Sequence, residues 1–299
     1  MSYSKIVRRF IYSCRQDGAV STFEKLLPLV LEQILAYKKV RYTTRSVPLV
    51  YLYLSIRMRH YTNSSDADPM KTTMVKPSDI KYYFGKPPSI RFQQMTNTTQ
   101  SSPEQKSPPR GYGQVENGNW DQNNELFDET IFYKSFEERY YKNYNWENTK
   151  IYQILQKDIE REIARYDCTT TKELDVHFEN VDILYNNIKE KGYKTQFELL
   201  QTRDGWEDNT DTPDAIHPLL NEVGINIGRD GQMGKISSGD HRLAIAKILE
   251  LDHIPVIVRA RHKQWQNIRD EYRNQSSSTS INSPGRHFSH PDLQDIIIG

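Results

Sequence analysis

The stretch that most constrains this chain is Ser237-Ser238-Gly239-Asp240-His241-Arg242, followed by Leu-Ala-Ile-Ala-Lys-Ile-Leu-Glu-Leu and then Ile254-Pro255-Val256-Ile257-Val258. Two serines and a glycine make a tight polar loop. Apolar residues then recur at three- and four-residue spacing, the period of a helix with a buried face. The run from Ile254 has strand length and almost no polar content, as expected of a strand covered on both sides. A loop feeding a helix N-terminus aims backbone N–H groups at one point, and His241 and Arg242 would add two donors there. That geometry suits an anion, a phosphate above all.

The flanking sequence supplies the rest of a domain. Val223 to Ile227 and Gln232 to Ile236 bracket Arg229-Asp230-Gly231, a strong hairpin turn. Upstream, Asp175 to Lys191 carries Val181, Leu184, Tyr185 and Ile188 as an apolar helical stripe, with Gly192 as a left-handed C-cap. Downstream, His262 to Arg273 reads as a helix, 274–285 as a flexible Ser/Asn-rich segment, and His290 to Ile298 as a short helix that docks back.

The N-terminal part reads differently. Residues 1–60 are expected to be helical, with Pro28 kinking the first apolar stripe and Val47 to Met58 forming a second. Met74 to Tyr83 reads as a strand entering a turn capped by Ser78. Residues 93–119 are Gln, Asn, Ser, Pro and Gly, expected to be disordered or an exposed loop, with order returning at Trp120. Phe132, Phe136, Tyr140 and Tyr144 share a helical face. Because acids interleave with bases there, the stripe reads as core rather than as a stacking platform for single-stranded nucleic acid. A charged helix over Lys150 to Tyr166 and a polar loop over 202–216 holding Trp206 complete the chain. The organisation read from these shifts is a helical region 1–92, a linker or loop 93–119, a helical segment 120–174, a core domain 175–273 and a tail 274–299.

Charge and cysteine content narrow the function classes. Lys and Arg number 40 against 39 Asp and Glu, so no global field recruits nucleic acid or an anionic membrane. Cys14 and Cys168 are far apart, which reads as two reduced thiols in a cytoplasmic protein. The start lacks the apolar core of a secretory signal. Leu26 to Leu31 and Val47 to Ile56 fall short of the ~20 apolar residues of a spanning helix, leaving core or partner packing, with a peripheral amphipathic helix as the alternative.

Taken together, the helix Val181 to Lys194, the strand hairpin, the Gly-x-His-Arg loop, Leu243-Ala-Ile-Ala-Lys247 and Ile254-Pro-Val-Ile-Val258 resemble the ParB/sulfiredoxin fold. The resemblance covers roughly residues 175–262. The wider run, with Gly228-Arg-Asp-Gly231, Arg261-His-Lys-Gln-Trp265 and His290-Pro-Asp-Leu293, resembles an archaeal, haloarchaea-like group that carries this fold as a ParB-like domain. The fold expected is α+β, with a small mixed sheet preceded by a mainly helical N-terminal region.

The resemblance implies a loop that binds nucleotide phosphates: ParB partition proteins bind CTP, sulfiredoxins bind ATP, and a related archaeal enzyme phosphorylates free serine. Sulfiredoxins place a reacting cysteine where this chain has Asp240, so no thiolate is available for sulfinic-acid reduction. ParB proteins follow the loop with DNA-binding helices, for which 274–299 is too short and polar.

The expected ligand is therefore a nucleoside tri- or diphosphate with Mg²⁺, or another small phosphorylated molecule. Ser238, Gly239, His241 and Arg242 would hold it. Asp240 is first of all a helix N-cap; functionally it would hold the metal or serve as a base, with His241 as a catalytic partner. Lys247 reads as a solvated charge, and Arg259, Arg261, His262 and Lys263 as a helix-start surface. The function so implied is nucleotide binding, with a Mg-dependent phosphotransferase or hydrolase as its catalytic form. The alternative is a non-catalytic interaction or regulatory module contacting a protein through the N-terminal helices. A nuclease is the weakest of the readings, since only Asp240 stands where a carboxylate cluster would be needed.

Overall fold

Apolar runs bounded by glycine, proline and short polar turns cut this chain into brief strands and medium helices. The computed structural model describes residues 19–36, 46–59, 61, 63–84, 107–122, 124–202, 217–236, 238–277 and 289–297. In chain order these form helices α1 (Ala19–Ala36) and α2 (Val47–Met58), then strands β1 (Thr72–Val75), β2 (Ile80–Tyr83), β3 (Gln114–Glu116) and β4 (Glu125–Leu126). Helices α3 (Ile131–Tyr140), α4 (Lys150–Glu160), α5 (Thr171–Lys191) and α6 (Gln196–Gln201) follow. The hairpin β5 (Val223–Ile227) and β6 (Met233–Lys235) leads to α7 (Asp240–Ile248), β7 (Ile254–His262), α8 (Lys263–Ser277) and α9 (Gln294–Ile297).

One mixed sheet organises these elements. β7 is its longest strand, one place in from the edge, and its side chains are buried along almost the whole strand, as its apolar sequence demands. β5 runs parallel to β7 on one edge. The other edge is shared: β1 pairs antiparallel with Ile254–Ile257, and β3 pairs parallel with Ala260–His262. Beyond β5 the order continues through antiparallel β6, parallel β2 and antiparallel β4. β1 to β4 all precede residue 175, so the sheet draws on the chain before and within 175–273. The mixed α/β class agrees with expectation. The hairpin turn forms where Arg229-Asp230-Gly231 places it. Gly231 sits at φ +82°, and a Cβ there would lie 2.6 Å from the Trp265 ring, so both torsion and space require glycine.

Several elements depart from the sequence reading. β3 lies inside the Pro- and Asn-rich stretch expected to be loop; Val115 alone of its three residues is buried, and backbone pairing to β7 holds the strand. Residues 93–106 lie outside the described residues, as do 203–216 with Trp206, Cys14, Ser237 and 278–288. Ser78 sits within a 3₁₀ turn, Pro77–Asp79, whose N-cap is Lys76. α3 ends at Tyr140, so Tyr144 falls beyond it and is exposed. The remaining aromatics of the stripe do pack inward: Phe136 meets Trp146 edge-on at 5.4 Å, and Tyr140 stacks on Tyr185 at 3.9 Å. α4 stops at Glu160, well before Tyr166. α5 begins at a Thr170–Glu173 capping box and buries Leu174, Phe178, Val181, Leu184 and Ile188, while Gly192 closes it at φ +79°.

The C-terminal segment docks back, and an ion network fastens it. Asp292 accepts from Arg261 at 2.9 and 2.5 Å and from the Trp265 indole at 2.9 Å. Arg269, with no exposed surface, reaches Asp66 at 3.1 Å, Asp295 at 2.9 Å and Asp292 at 3.4 Å. Of the residues expected to form a helix-start surface, Arg261 and His262 are interior, 4% and 1% exposed, the latter contacting the Gly118 carbonyl, while Arg259 and Lys263 are half-buried.

Candidate functional site

The loop closing the β5–β6 hairpin onto α7 is set by backbone first. Gly239 adopts φ +90°, ψ 27° and is the N-cap of α7; its carbonyl accepts the Leu243 N–H at 3.0 Å. This corrects the expectation that Asp240 caps the helix. A left-handed cap satisfies the chain's turn without a side chain, which leaves Asp240 as the first helical residue. A Cβ at Gly239 would stand 3.0 Å from the Val223 Cα, so the loop lies directly on β5. Ser238 anchors it by donating to the Glu222 carbonyl at 2.9 Å.

The side chains around this turn diverge. Asp240 turns toward Lys235 of β6, whose ammonium lies 2.9 Å away; the lysine side chain has no exposed surface, whereas Asp240 is 26% exposed. The ammonium also lies 5.9 Å from the centre of the Tyr83 ring. His241 points into an aromatic cluster, with ring centres of His177 at 5.2 Å, Phe132 at 5.3 Å, Tyr166 at 5.6 Å and Phe136 at 6.0 Å. Arg242 is buried toward the strand entrance, donating to the Asn221 carbonyl and facing Glu222 at 3.5 Å.

Glu222 is as buried as its partner and accepts the Gln196 N–H at 2.6 Å. Burial pushes its carboxyl up to about 7. Arg242 pulls the other way, but an N···O separation of 3.5 Å is too long for a strong charge-assisted hydrogen bond, so desolvation prevails.

Of the five residues expected to converge on a ligand, then, Asp240 is the charged one left partly open, beside a backbone turn that Gly239 and Ser238 shape. His241 and Arg242 are held inside. Lys247, expected to be a solvated charge, is also interior at 8% exposure, paired with Asp128 at 2.8 Å and lying over the Phe127 ring. Lys235 and Glu222 were not singled out from sequence. Their signal was present: a lysine between Gly234 and Ile236 in a buried hairpin strand, and a glutamate directly before the apolar run of β5.

A divalent cation seated on Asp240 would stand beside the Lys235 ammonium. Among the described residues no group of three His, Cys, Asp or Glu side chains gathers to hold a metal. Among the described residues this turn therefore assembles no metal-ligand set around Asp240. Comparison with protein-family models, curated proteins and solved structures gave no match for this chain.

Proposed function

We propose that the turn from Lys235 to Arg242 binds the phosphate of a nucleotide or another small phosphorylated ligand, by exchanging Asp240 for that phosphate on Lys235. The observation that carries this reading is the Lys235–Asp240 pair. A fully buried ammonium is costly, and one retained at a helix start beside a partly exposed carboxylate has the character of an anion site filled from within. The N–H groups of the first turn of α7 would contribute as donors, with the dipole of a nine-residue helix behind them. The order of strand hairpin, Gly-x-His-Arg turn, helix and Ile-Pro-Val strand supports the same reading through its ParB/sulfiredoxin resemblance.

The roles of the neighbouring residues shift accordingly. Arg242 and Glu222 position the turn, and His241 packs its wall. Any Mg²⁺ would arrive with the nucleotide's own phosphates rather than on Asp240. If phosphotransfer or hydrolysis accompanies binding, the base in reach is Asp240, released from Lys235 once phosphate has replaced it.

Isothermal titration with ATP, CTP, ADP and inorganic phosphate tests the exchange. Asp240→Asn removes the internal competitor and should tighten binding by about tenfold, the equivalent of about 1.4 kcal/mol. No heat from any of the four, in wild type and Asp240→Asn alike, sinks the proposal. That outcome would favour the interaction-module reading, which draws its support from the internal engagement of His241 and Arg242.

A further inference from the structure

β7 is apolar from Ile254 to Val258, and its first charged residue, Arg259, falls where the ladder slips. Ile225 pairs with Val258 and Asn226 with Ala260, which makes Arg259 the extra residue of a bulge. It lies between the stretch paired with β1 and the stretch paired with β3. A bulge takes its residue out of the alternation of the strand and re-aims the side chain. The Arg259 guanidinium lies over the Tyr112 ring, 3.5 Å from its centre, and donates to the Arg110 carbonyl. The Tyr112 hydroxyl in turn donates to the Leu220 carbonyl at 2.9 Å, which fixes the ring under the guanidinium. These contacts orient Arg259 without bringing it a negative charge.

A second guanidinium arrives from α2. Tyr53, Arg57 and Tyr61 stand four residues apart, a single stripe that runs off the end of the helix. Arg57 and Arg259 both lie within electrostatic reach of the Tyr53 and Tyr61 hydroxyls. The Tyr61 oxygen accepts from Arg57 and from the Tyr112 N–H, which leaves its own proton to donate. Arg110 is near enough to Arg259 for the two charges to oppose each other, and burial draws the Arg259 guanidinium below its ordinary value. From α1, Glu32 acts on Tyr53. One carboxylate thus stands against three guanidiniums, and among the described residues neither Arg57 nor Arg110 pairs with an acid.

We propose that Arg57, Arg110 and Arg259, with the Tyr61 hydroxyl, bind a small dianionic oxyanion of the phosphate and sulfate class, at a site that shares no residue with the α7 turn. A guanidinium presents parallel N–H groups that match the oxygens of such an anion, and its charge survives burial where an ammonium's does not. Two positive charges remain once Glu32 is set against the three arginines, as many as the anion carries. Arg259 and the three tyrosines are half-buried, so the site admits a compact group rather than the flank of a polymer. Nothing in the sequence joins α2, the 110–112 loop and β7; the bulge brings them to one point.

Isothermal titration of the full chain with sodium sulfate and with inorganic phosphate, chloride holding the ionic strength constant, tests this site. Wild type should bind saturably, and the tighter of the two anions names the ligand within the class. Arg57→Gln and Arg110→Gln, both at exposed positions, should each weaken that binding by about tenfold at an unchanged melting temperature. Arg57→Lys keeps the charge and loses the fork, so it should fall between Gln and wild type. Asp240→Asn, which acts at the α7 turn, should leave this binding unchanged. Two results overturn the proposal: no saturable heat from either anion, or saturable binding that Arg57→Gln and Arg110→Gln leave as it is, which would assign the anion to another part of the molecule.

Discussion

At the entrance to α7, Arg242 faces Glu222 across 3.5 Å, and the carboxyl is pushed up to about 7. At the far end of the chain, Arg261 and Asp292 lie 2.5 Å apart, and that carboxyl is held below the usual aspartate range. Both sites are buried arginine–carboxylate pairs, and burial is the largest influence on each acid, raising it. The difference lies in what surrounds them. Asp292 receives two guanidinium groups and an indole N–H, enough to overcome desolvation, whereas Glu222 receives one distant guanidinium and one backbone N–H. A buried ion pair is therefore no single kind of interaction. The number and closeness of its donors decide whether it locks a segment or leaves a proton in play.

The comparison breaks most visibly at Asp292. Asp292→Ala leaves Arg261 and Arg269 buried without the carboxylate they share, and should cost about 3–5 kcal/mol, read as a lower urea midpoint with unchanged slope. The contribution of Asp292 is present above the unfolded aspartate range and is lost as pH falls through its lower folded value. A variant within 1 kcal/mol of wild type, ~1 being typical of an ordinary substitution, would mean that Asp66 and Asp295 suffice for the clasp.

Glu222 should act with the opposite sign. Its folded carboxyl takes up protons at higher pH than the unfolded one, so the folded state binds more protons between about 4.5 and about 7. Stability from this group is full below that window and declines as pH rises through it, by an upper bound of roughly 3.5 kcal/mol at ~1.4 kcal/mol per unit. Melts of wild type and Glu222→Gln across this range check it: the wild-type decline should flatten in the variant. A decline of equal size in both would place the proton elsewhere.

How much of this was legible in the sequence depends on whether a feature is periodic or a matter of contact. The β5–β6 hairpin, α5, α7, β7 and the docked C-terminal helix announce themselves through glycine turns, helical stripes and an apolar run. β3 and β4 do not. Strands of three and two residues carry no alternation to detect, and β3 is held by the backbone of β7 within a stretch whose composition says loop. The candidate turn was located by sequence, but its side chains were not. Arg242 and Glu222 are twenty residues apart, and their meeting depends on β5 lying under the turn. Asp240 looked like a cap because its type and position suit one. The left-handed torsion of Gly239 took that role and released the carboxylate to Lys235.

That exchange of roles yields the smallest of these expected effects. Alanine at position 239 must adopt φ near +90° and place a methyl 3.0 Å from both the Cα and the Cγ2 of Val223. Together these should cost about 1–3 kcal/mol, read from the melting temperature. Asparagine tolerates the left-handed region better than alanine but carries the same Cβ. Gly239→Asn should therefore recover the torsional part and keep the crowding, falling between glycine and alanine. If asparagine matches glycine, torsion alone sets the turn. If it matches alanine, the Val223 backbone does. Equal stability of all three would show that β5 gives way, and that the start of α7 is held by the Lys235–Asp240 pair rather than by the glycine.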